Sequence, residues 1–302
     1  MTLVVVGLDA ADPRLAERWD LQNLLLDNHS EMETFAHTRE TPLTSEVWPA
    51  IATGVHPEEG GFDGRRGSDW SGLMSVVNRV AKKVLPKSIR ANVGQRLRQG
   101  QTVEAHFGPN EGDHVFADGA AYNWPGITPA KNWARSEWWL EKYHDGELTD
   151  LEFFRRQMAF TGEEIGWATT MAGTWLPIIG TRCHVLDHAG HAWANQPSKL
   201  RTTYERVDEA VSELRNSSHV TELVVCSDHG MQTSICGDES PGSHSWHALV
   251  SATIDDTLPE SVTGVRSFLE RHRPEPSAID DDWRDSGIDT PTERLKKLGY
   301  IE

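Results

Sequence analysis

The strongest constraint on this chain is a run of apolar residues at its start, Val4-Val5-Val6-Gly7-Leu8, that stops abruptly on Asp9. A short continuous apolar run bounded by turn chemistry, here Ala10-Ala11-Asp12, reads as a strand buried on both faces. Such strands belong to parallel sheets covered by helices, and open sheets of that kind place their ligands beyond the carboxyl ends of the strands. Asp9 therefore has two readings: an acid facing a site, or a turn residue capping the next helix.

The rest of the chain alternates in the same way. Leu15, Trp19, Leu24 and Leu25 fall at roughly helical spacing over residues 14–28, and a second strand is expected within 31–39. In Thr41-Pro42-Leu43-Thr44-Ser45-Glu46-Val47-Trp48-Pro49-Ala50-Ile51-Ala52-Thr53-Gly54 a hydroxyl-rich loop feeds a short helix. Pro49 is tolerated in its first turn, Gly54 is its stop, and Thr44 and Ser45 lie at its amino end. Residues 151–170 and 200–214 read as helices, 182–186 and 222–227 as strands ending at Asp187 and Asp228, 248–254 as a last strand, and 292–298 as a closing helix. Strands separated by helices over the whole length predict an α/β protein, a three-layer α/β/α sandwich with a largely parallel central sheet. The 302 residues suit one domain over 1–302, with 60–150 as an inserted cap or substrate-selecting region.

Composition narrows the function classes. The formal net charge of -17 is spread along the chain, which argues against general nucleic-acid binding and fits an acidic proteome. No stretch is long and apolar enough to span a membrane, and no basic segment resembling a signal peptide precedes the first strand. Cys183, Cys226 and Cys236 are odd in number and lack C-x-x-C spacing, so a reducing, cytoplasmic setting is expected, with Cys183 and Cys226 as core residues. One basic island interrupts the acidity: an amphipathic helix expected from Trp70, Leu73, Met74, Val77, Val80 and Val84, carrying or followed by Arg79, Lys82, Lys83, Lys87, Arg90, Arg96 and Arg98. It reads as a packed helix with a charged outer face, a lid that gathers anions, or a surface for anionic lipid. Trp124, Trp133, Trp138 and Trp139 read as core packing by default, with a substrate-stacking platform as the other reading.

The chemistry gathers at the expected strand ends: Asp9, then Asp187-His188-Ala189-Gly190-His191, then Asp228-His229, with Gly242-Ser243-His244-Ser245-Trp246-His247 just before a strand. In a parallel sheet these ends converge on one edge. Carboxylates with imidazoles are the ligand set of a borderline metal such as zinc, and the four-residue step from Asp187 to His191 lets both side chains reach one ion. Any single Asp-His pair is also an ordinary strand-to-turn exit; several together at one edge point to a metal site.

On these residues the chain resembles the alkaline phosphatase superfamily, and within it the type I phosphodiesterase and nucleotide pyrophosphatase family. The matching pieces, in the family's order, are Gly7-Leu8-Asp9, Thr44 ahead of Thr53-Gly54 and Pro57, Asp187-x-x-Gly190-His191, Ser227-Asp228-His229-Gly230-Met231 and Gly242-x-His244. The resemblance implies two divalent metal ions, zinc with manganese as the alternative: one held by Asp187, His191 and His244, the other by Asp9, Thr44, Asp228 and His229. It implies Thr44 as nucleophile, a phospho-threonine intermediate, and a phosphorylated small molecule as substrate, with phosphodiester or pyrophosphate cleavage ahead of monoester cleavage. Phosphomutase or phosphonate hydrolase chemistry on the same scaffold, or a non-catalytic metal-binding relic recognising a phosphorylated partner, are the alternatives. Where nucleotide pyrophosphatases carry Thr-Phe-Pro-Asn, Thr44 is followed by Ser45-Glu46-Val47, so the phosphoryl-binding asparagine is absent and the nucleotide subtype does not follow. Asn123 is a candidate replacement donor, and Arg65 and Arg66 are candidate phosphate clamps or a solvated pair. Glu46 sets a negative charge beside the nucleophile unless it points away, Ser45 is the rival nucleophile, His247 the rival ligand to His244, and His188 a solvent-facing neighbour. A sulfatase is disfavoured, because no C-x-P-x-R occupies the nucleophile position.

Overall fold

A computed structural model describes residues 2–60, 113–128 and 131–275. Strand β1 spans Thr2–Leu8, and its alternating side chains leave for opposite layers. Val4, Val6 and Leu8 join one apolar cluster, Leu3 and Val5 the other, so the run is buried on both faces. Helices α1 (Pro13–Arg18) and α2 (Gln22–Leu25) follow, then β2 (Asn28–Glu33), α3 (Thr44–Thr53) and α4 (Pro57–Gly60). After β3 (Ala120–Tyr122) come α5 (Lys131–His144), α6 (Asp150–Ala172), β4 (Ile178–Cys183), α7 (Val185–Trp193) and α8 (Pro197–Arg215). The described residues close with β5 (Val220–Cys226), β6 (Gly230–Met231), β7 (His244–Ser245), β8 (His247–Ala252) and α9 (Val265–His272).

The central sheet has six strands in the order β2-β8-β5-β1-β4-β3. β1 runs parallel to both β4 and β5, β3 runs parallel to β4, and β8 is antiparallel to β5 and β2. Residues of α1, α2, α6, α7 and α8 cover one face and those of α3 and α9 the other, which makes the expected three layers of a largely parallel sandwich. Ala120–Tyr122, within the 60–150 stretch, forms an edge strand of the sheet itself. Arg65, Arg66, the basic helix expected near 70–98 and the closing helix expected at 292–298 lie outside the described residues.

Several local expectations need correction. The single helix read over 14–28 is two short helices, because Asp20 and Leu26 adopt positive φ of 56° and 51° and end each turn. The strand read over 182–186 runs earlier, over Ile178–Cys183, and Val185-Leu186 opens α7 instead. Asp187 is thus a first-turn helical residue and not the end of a strand. Helices α5 and α9 fall in stretches to which the sequence pattern assigns no element.

Gly7 decides how the upper layer meets the sheet. A Cβ there would lie 2.7 Å from two ring atoms of Trp48, a fully buried residue of α3. The missing side chain lets the indole lie on β1, where its Nε1 donates to Asp9 Oδ1 at 3.3 Å. Trp124 packs edge-on against it at 5.0 Å and bonds the Trp48 carbonyl, so the ring has no room to retreat. Gly7→Ala is expected to destabilise the fold by about 1–3 kcal/mol through overpacking. Urea unfolding checks this, and an unchanged midpoint would show that Trp48 can move freely.

Candidate active site

The candidate residues gather where the ends of β1, β4 and β5 converge. The Asp9 backbone N–H bonds the Cys183 carbonyl at 2.9 Å, and the Ala10 N–H bonds Asp228 Oδ1 at 3.3 Å, so the three ends are tied to one another. Of the two readings of the first acids, helix capping falls to Asp12, whose carboxylate accepts from Arg14 N at the start of α1. Asp9 faces the cluster instead.

Thr44 is the first residue of α3, nearly buried, at the helix end whose dipole favours negative charge. Its Oγ1 lies 3.2 Å from Asp9 Oδ1 and 3.2 Å from His229 Nε2. His229 Nε2 is also 3.2 Å from Asp228 Oδ2, and the His229 ring stacks on His244 at 3.8 Å. His244 Nε2 and His191 Nε2 stand 3.3 Å apart, each 3.3 Å from Asp187 Oδ1. Asp9, Thr44, Asp187, His191, Asp228, His229 and His244 therefore form one continuous cluster. Within it, ligand atoms of Asp9, Asp228 and His229, and of Asp187, His229 and His244, come within 4.8 Å of one another.

The three imidazoles are oriented alike. Nδ1 of His229, His191 and His244 meets the carbonyls of Gly230 at 3.0 Å, Gly242 at 2.8 Å and Pro42 at 2.7 Å. A carbonyl only accepts, so each Nδ1 carries the proton and each Nε2 turns its remaining bonding capacity toward the cluster. Asp187 Oδ1 and Asp228 Oδ2 are buried without a hydrogen-bond partner. Buried carboxyl oxygens and inward-facing Nε2 atoms are the donor set of a borderline divalent cation.

The acids respond to this crowding. Burial and the neighbouring Asp9 charge push Asp228 far above the carboxylate range. Burial opposes ionisation of Asp9 as well, but Arg182, with help from Asp228 and His229, holds it low, so this pair keeps its proton on Asp228. Asp187 is held well below its ordinary value by His191 and His244 despite burial; Asp187 in turn raises His191 to about 9. Burial, then the charge of His244, lowers His229 to about 4.

The neighbours separate clearly. Glu46 points away from Thr44: its carboxylate accepts from the backbone N–H groups of His37 and Thr38 at 3.2 Å and from the Thr38 hydroxyl. His247 is instead paired with Glu31, its Nδ1 2.8 Å from Glu31 Oε1 at an exposed position. Asn123 is buried with its amide nitrogen on Glu164 Oε1 at 2.8 Å and the Arg182 carbonyl at 3.1 Å, so that donor is already engaged. Trp124 is core, as its complete burial shows. His188 is not solvent-facing: it is buried, with Nδ1 2.7 Å from Ser136 Oγ and 3.3 Å from Gln157 Oε1.

Burial lowers the His188 pKa to about 4, which yields a pH prediction. An unfolded chain takes up this proton near the ordinary value of about 6.5, so His188 costs stability as pH falls from 6.5 toward 4, by about 3 kcal/mol in all. His188→Asn should flatten the loss between pH 7 and 5 in urea unfolding; an unaltered slope would place the acid sensitivity elsewhere.

Two residues of the site were not singled out from the sequence. Trp48 bonds Asp9, and the fully buried Arg182 pairs its Nη2 with Asp9 Oδ2. The available signal for Arg182 was a cation inside an otherwise apolar strand, Ile178-Ile179-Gly180-Thr181-Arg182-Cys183.

The three-layer sandwich thus gathers a buried hydroxyl, carboxylates and imidazoles at one edge of its central sheet. The model of the type I phosphodiesterase / nucleotide pyrophosphatase family matches residues 3–258, and the chain belongs to that family. Membership makes it a phosphoesterase-type hydrolase, with phosphodiesterase or pyrophosphatase-type chemistry. Among solved structures, the alkaline phosphatase of the Antarctic bacterium TAB5 is similar at 11% identity and a TM-score of 0.45, over 89% of this chain and 97% of its own. A histidine-to-aspartate mutant of that enzyme with Mg bound in the M3 site gives 11% identity and 0.44, over 89% and 96%. No curated protein matches. Among the described residues no helix is long and apolar enough to cross a membrane.

Proposed function

We propose that this chain hydrolyses phosphoric esters, diester or pyrophosphate bonds ahead of monoesters, through a phosphoryl group carried on Thr44 in a site that binds two divalent cations. The observation that carries the reading is the position of Thr44 Oγ1, 3.2 Å from both Asp9 and His229 at the start of a helix. The donor set fits the cations: inward-facing Nε2 atoms of His191, His229 and His244, with buried oxygens of Asp187 and Asp228 that lack partners. Asp187, His191 and His244 would hold one, and Asp9, Thr44, Asp228 and His229 the other, with zinc or manganese suited to such N/O ligands. When bound, the cations supply charge for the phosphoryl oxygens and lower the pKa of a hydroxyl or water.

The chain's own residues do the rest. Asp9 and His229 fix the Thr44 oxygen for in-line attack on phosphorus: a bond forms from Oγ1, and the bond to the leaving oxygen breaks. Water then attacks phosphorus from the vacated side, Thr44 is released, and phosphate or a phosphomonoester departs. The start of α3 faces the extra negative charge of this exchange, and Glu46, turned onto His37 and Thr38, does not oppose it.

Aryl phosphate monoesters and diesters, with the acid-quenched enzyme mapped by mass spectrometry, test the proposal. Faster diester turnover with a phosphopeptide containing Thr44 is the expected result. Turnover with the label on Ser45, or with no covalent label under single-turnover conditions, overturns the phospho-threonine route.

A further inference from the structure

Asp12, a fully buried acid just past β1, does more than cap α1. Its Oδ1 accepts from Arg14 N at 3.0 Å and Arg14 Nε at 2.9 Å. Its Oδ2 accepts from Arg14 Nη2 at 2.8 Å, from Met231 N at 3.3 Å and from Ser245 Oγ at 3.2 Å. A helix cap needs neither of the last two bonds. Both come from the β6–β7 ladder, in which Gly230 pairs with Ser245 and Met231 with His244. Gly230 makes room for the acid, since a Cβ there would lie 2.6 Å from Asp12 Oδ2 and 2.6 Å from Ser245 Oγ. Met231 N is the nitrogen of the Gly230–Met231 peptide, and the oxygen of that same peptide accepts from His229 Nδ1 at 3.0 Å. One planar peptide thus stands between the Asp12 carboxylate and the His229 imidazole.

We propose that Asp12 is a positioning residue for the cation assigned to Asp9, Thr44, Asp228 and His229: its carboxylate fixes the Gly230–Met231 peptide and, through it, the direction and donor strength of His229 Nε2. This rests on the reading of His229 as a cation ligand. The peptide is rigid, so anchoring its N–H also anchors its C=O, and with it the imidazole that donates to that oxygen. A peptide N–H given to an anion makes the carbonyl at the other end a stronger acceptor, because hydrogen bonds in a chain polarise one another. The more firmly that carbonyl holds the Nδ1 proton, the more basic Nε2 becomes as a ligand. Arg14 does not cancel the charge, because its guanidinium is shared with Asp238, at 3.0 and 3.2 Å, and two carboxylates face one cation. The other imidazoles depend on different peptides: His191 Nδ1 meets the Gly242 carbonyl and His244 Nδ1 that of Pro42. The influence of Asp12 therefore falls on one cation of the two.

Titration of the chelator-stripped full chain with manganese chloride, followed by calorimetry and electron paramagnetic resonance, reads each binding step and the magnetic coupling of neighbouring ions. Asp12→Asn keeps a good helix cap, since its oxygen can still accept from Arg14 N, but it turns an NH2 group on the Met231 N–H. The binding step that disappears in His229→Ala is expected to weaken about tenfold or more in Asp12→Asn, while the step that survives there is unchanged. The spin-coupled spectrum should accordingly appear only at higher manganese. Asp12→Ser, also a good cap but too short to reach Met231, should show the same selective loss, so the result does not depend on the amide being tolerated. Ser245→Ala leaves the carboxylate on the peptide and should bind both ions as wild type does. Equal weakening of both steps in the Asp12 variants, or wild-type affinity at both, overturns the role of Asp12. So does a loss in Ser245→Ala as large as that in Asp12→Asn, which would make the ladder and not the peptide responsible. Wild type that binds fewer than two ions overturns the reading of the cation site itself.

Discussion

Thr44→Ala is expected to lower kcat for an aryl phosphodiester by at least about 10³-fold, some 4 kcal/mol of transition-state stabilisation. The size follows from what is removed. Among the described residues no other hydroxyl is bracketed by Asp9 and His229 at 3.2 Å, and the neighbouring Ser45 has no contact of that kind. The three imidazoles keep their backbone carbonyl partners in the variant, so cation binding should persist with a modest loss of affinity. Activity lost with binding retained would therefore mark Thr44 as the reacting group and not as a prop for the site. Full activity in the variant would end the assignment.

Asp228→Asn should separate function from folding even more sharply. Asp228 is buried against Asp9, and burial with that charge keeps it protonated in the cation-free chain. An amide of the same shape is then no loss to the fold: its oxygen can still accept from Ala10 N and His229 N, as Oδ1 does now. The thermal midpoint of the stripped variant should equal or exceed that of stripped wild type. With cation present the order reverses, because a protein stabilised by a bound ligand loses that contribution when a charged ligand residue becomes neutral. Turnover should fall by at least about 10³-fold. A variant that melts far below stripped wild type would show that Asp228 serves the fold through its charge, which the burial and pairing here contradict.

Much of this was legible in the sequence because β1 is extreme. A run of β-branched residues with no polar interruption permits little besides a strand with both faces covered, and its abrupt stop marks the sheet edge where Asp9 sits. Asp228 was legible for the same reason. Asp187 was placed on the wrong element, since Val185-Leu186 is too short an apolar run to say whether it extends a strand or opens a helix. Its spacing to His191 survived the error, because residues four apart share a helical face. Arg182 and Trp48 escaped because their roles come from burial and from partners distant in the chain, and neither has a local spacing. The inward direction of the imidazoles was equally hidden: it depends on the carbonyls of Pro42, Gly230 and Gly242, whose positions only the fold supplies.

The opening acid, Asp9, thus joins a cluster whose meaning depends on the cations it would hold. The most direct measurement is the metal stoichiometry of the chelator-stripped full chain, re-titrated with zinc or manganese and assayed at each step on an aryl phosphodiester. The account predicts two divalent ions per chain, no turnover in the stripped protein, and activity that returns as the second ion binds. Stripped protein that retains its turnover, or a chain that saturates below two ions while fully active, would contradict it.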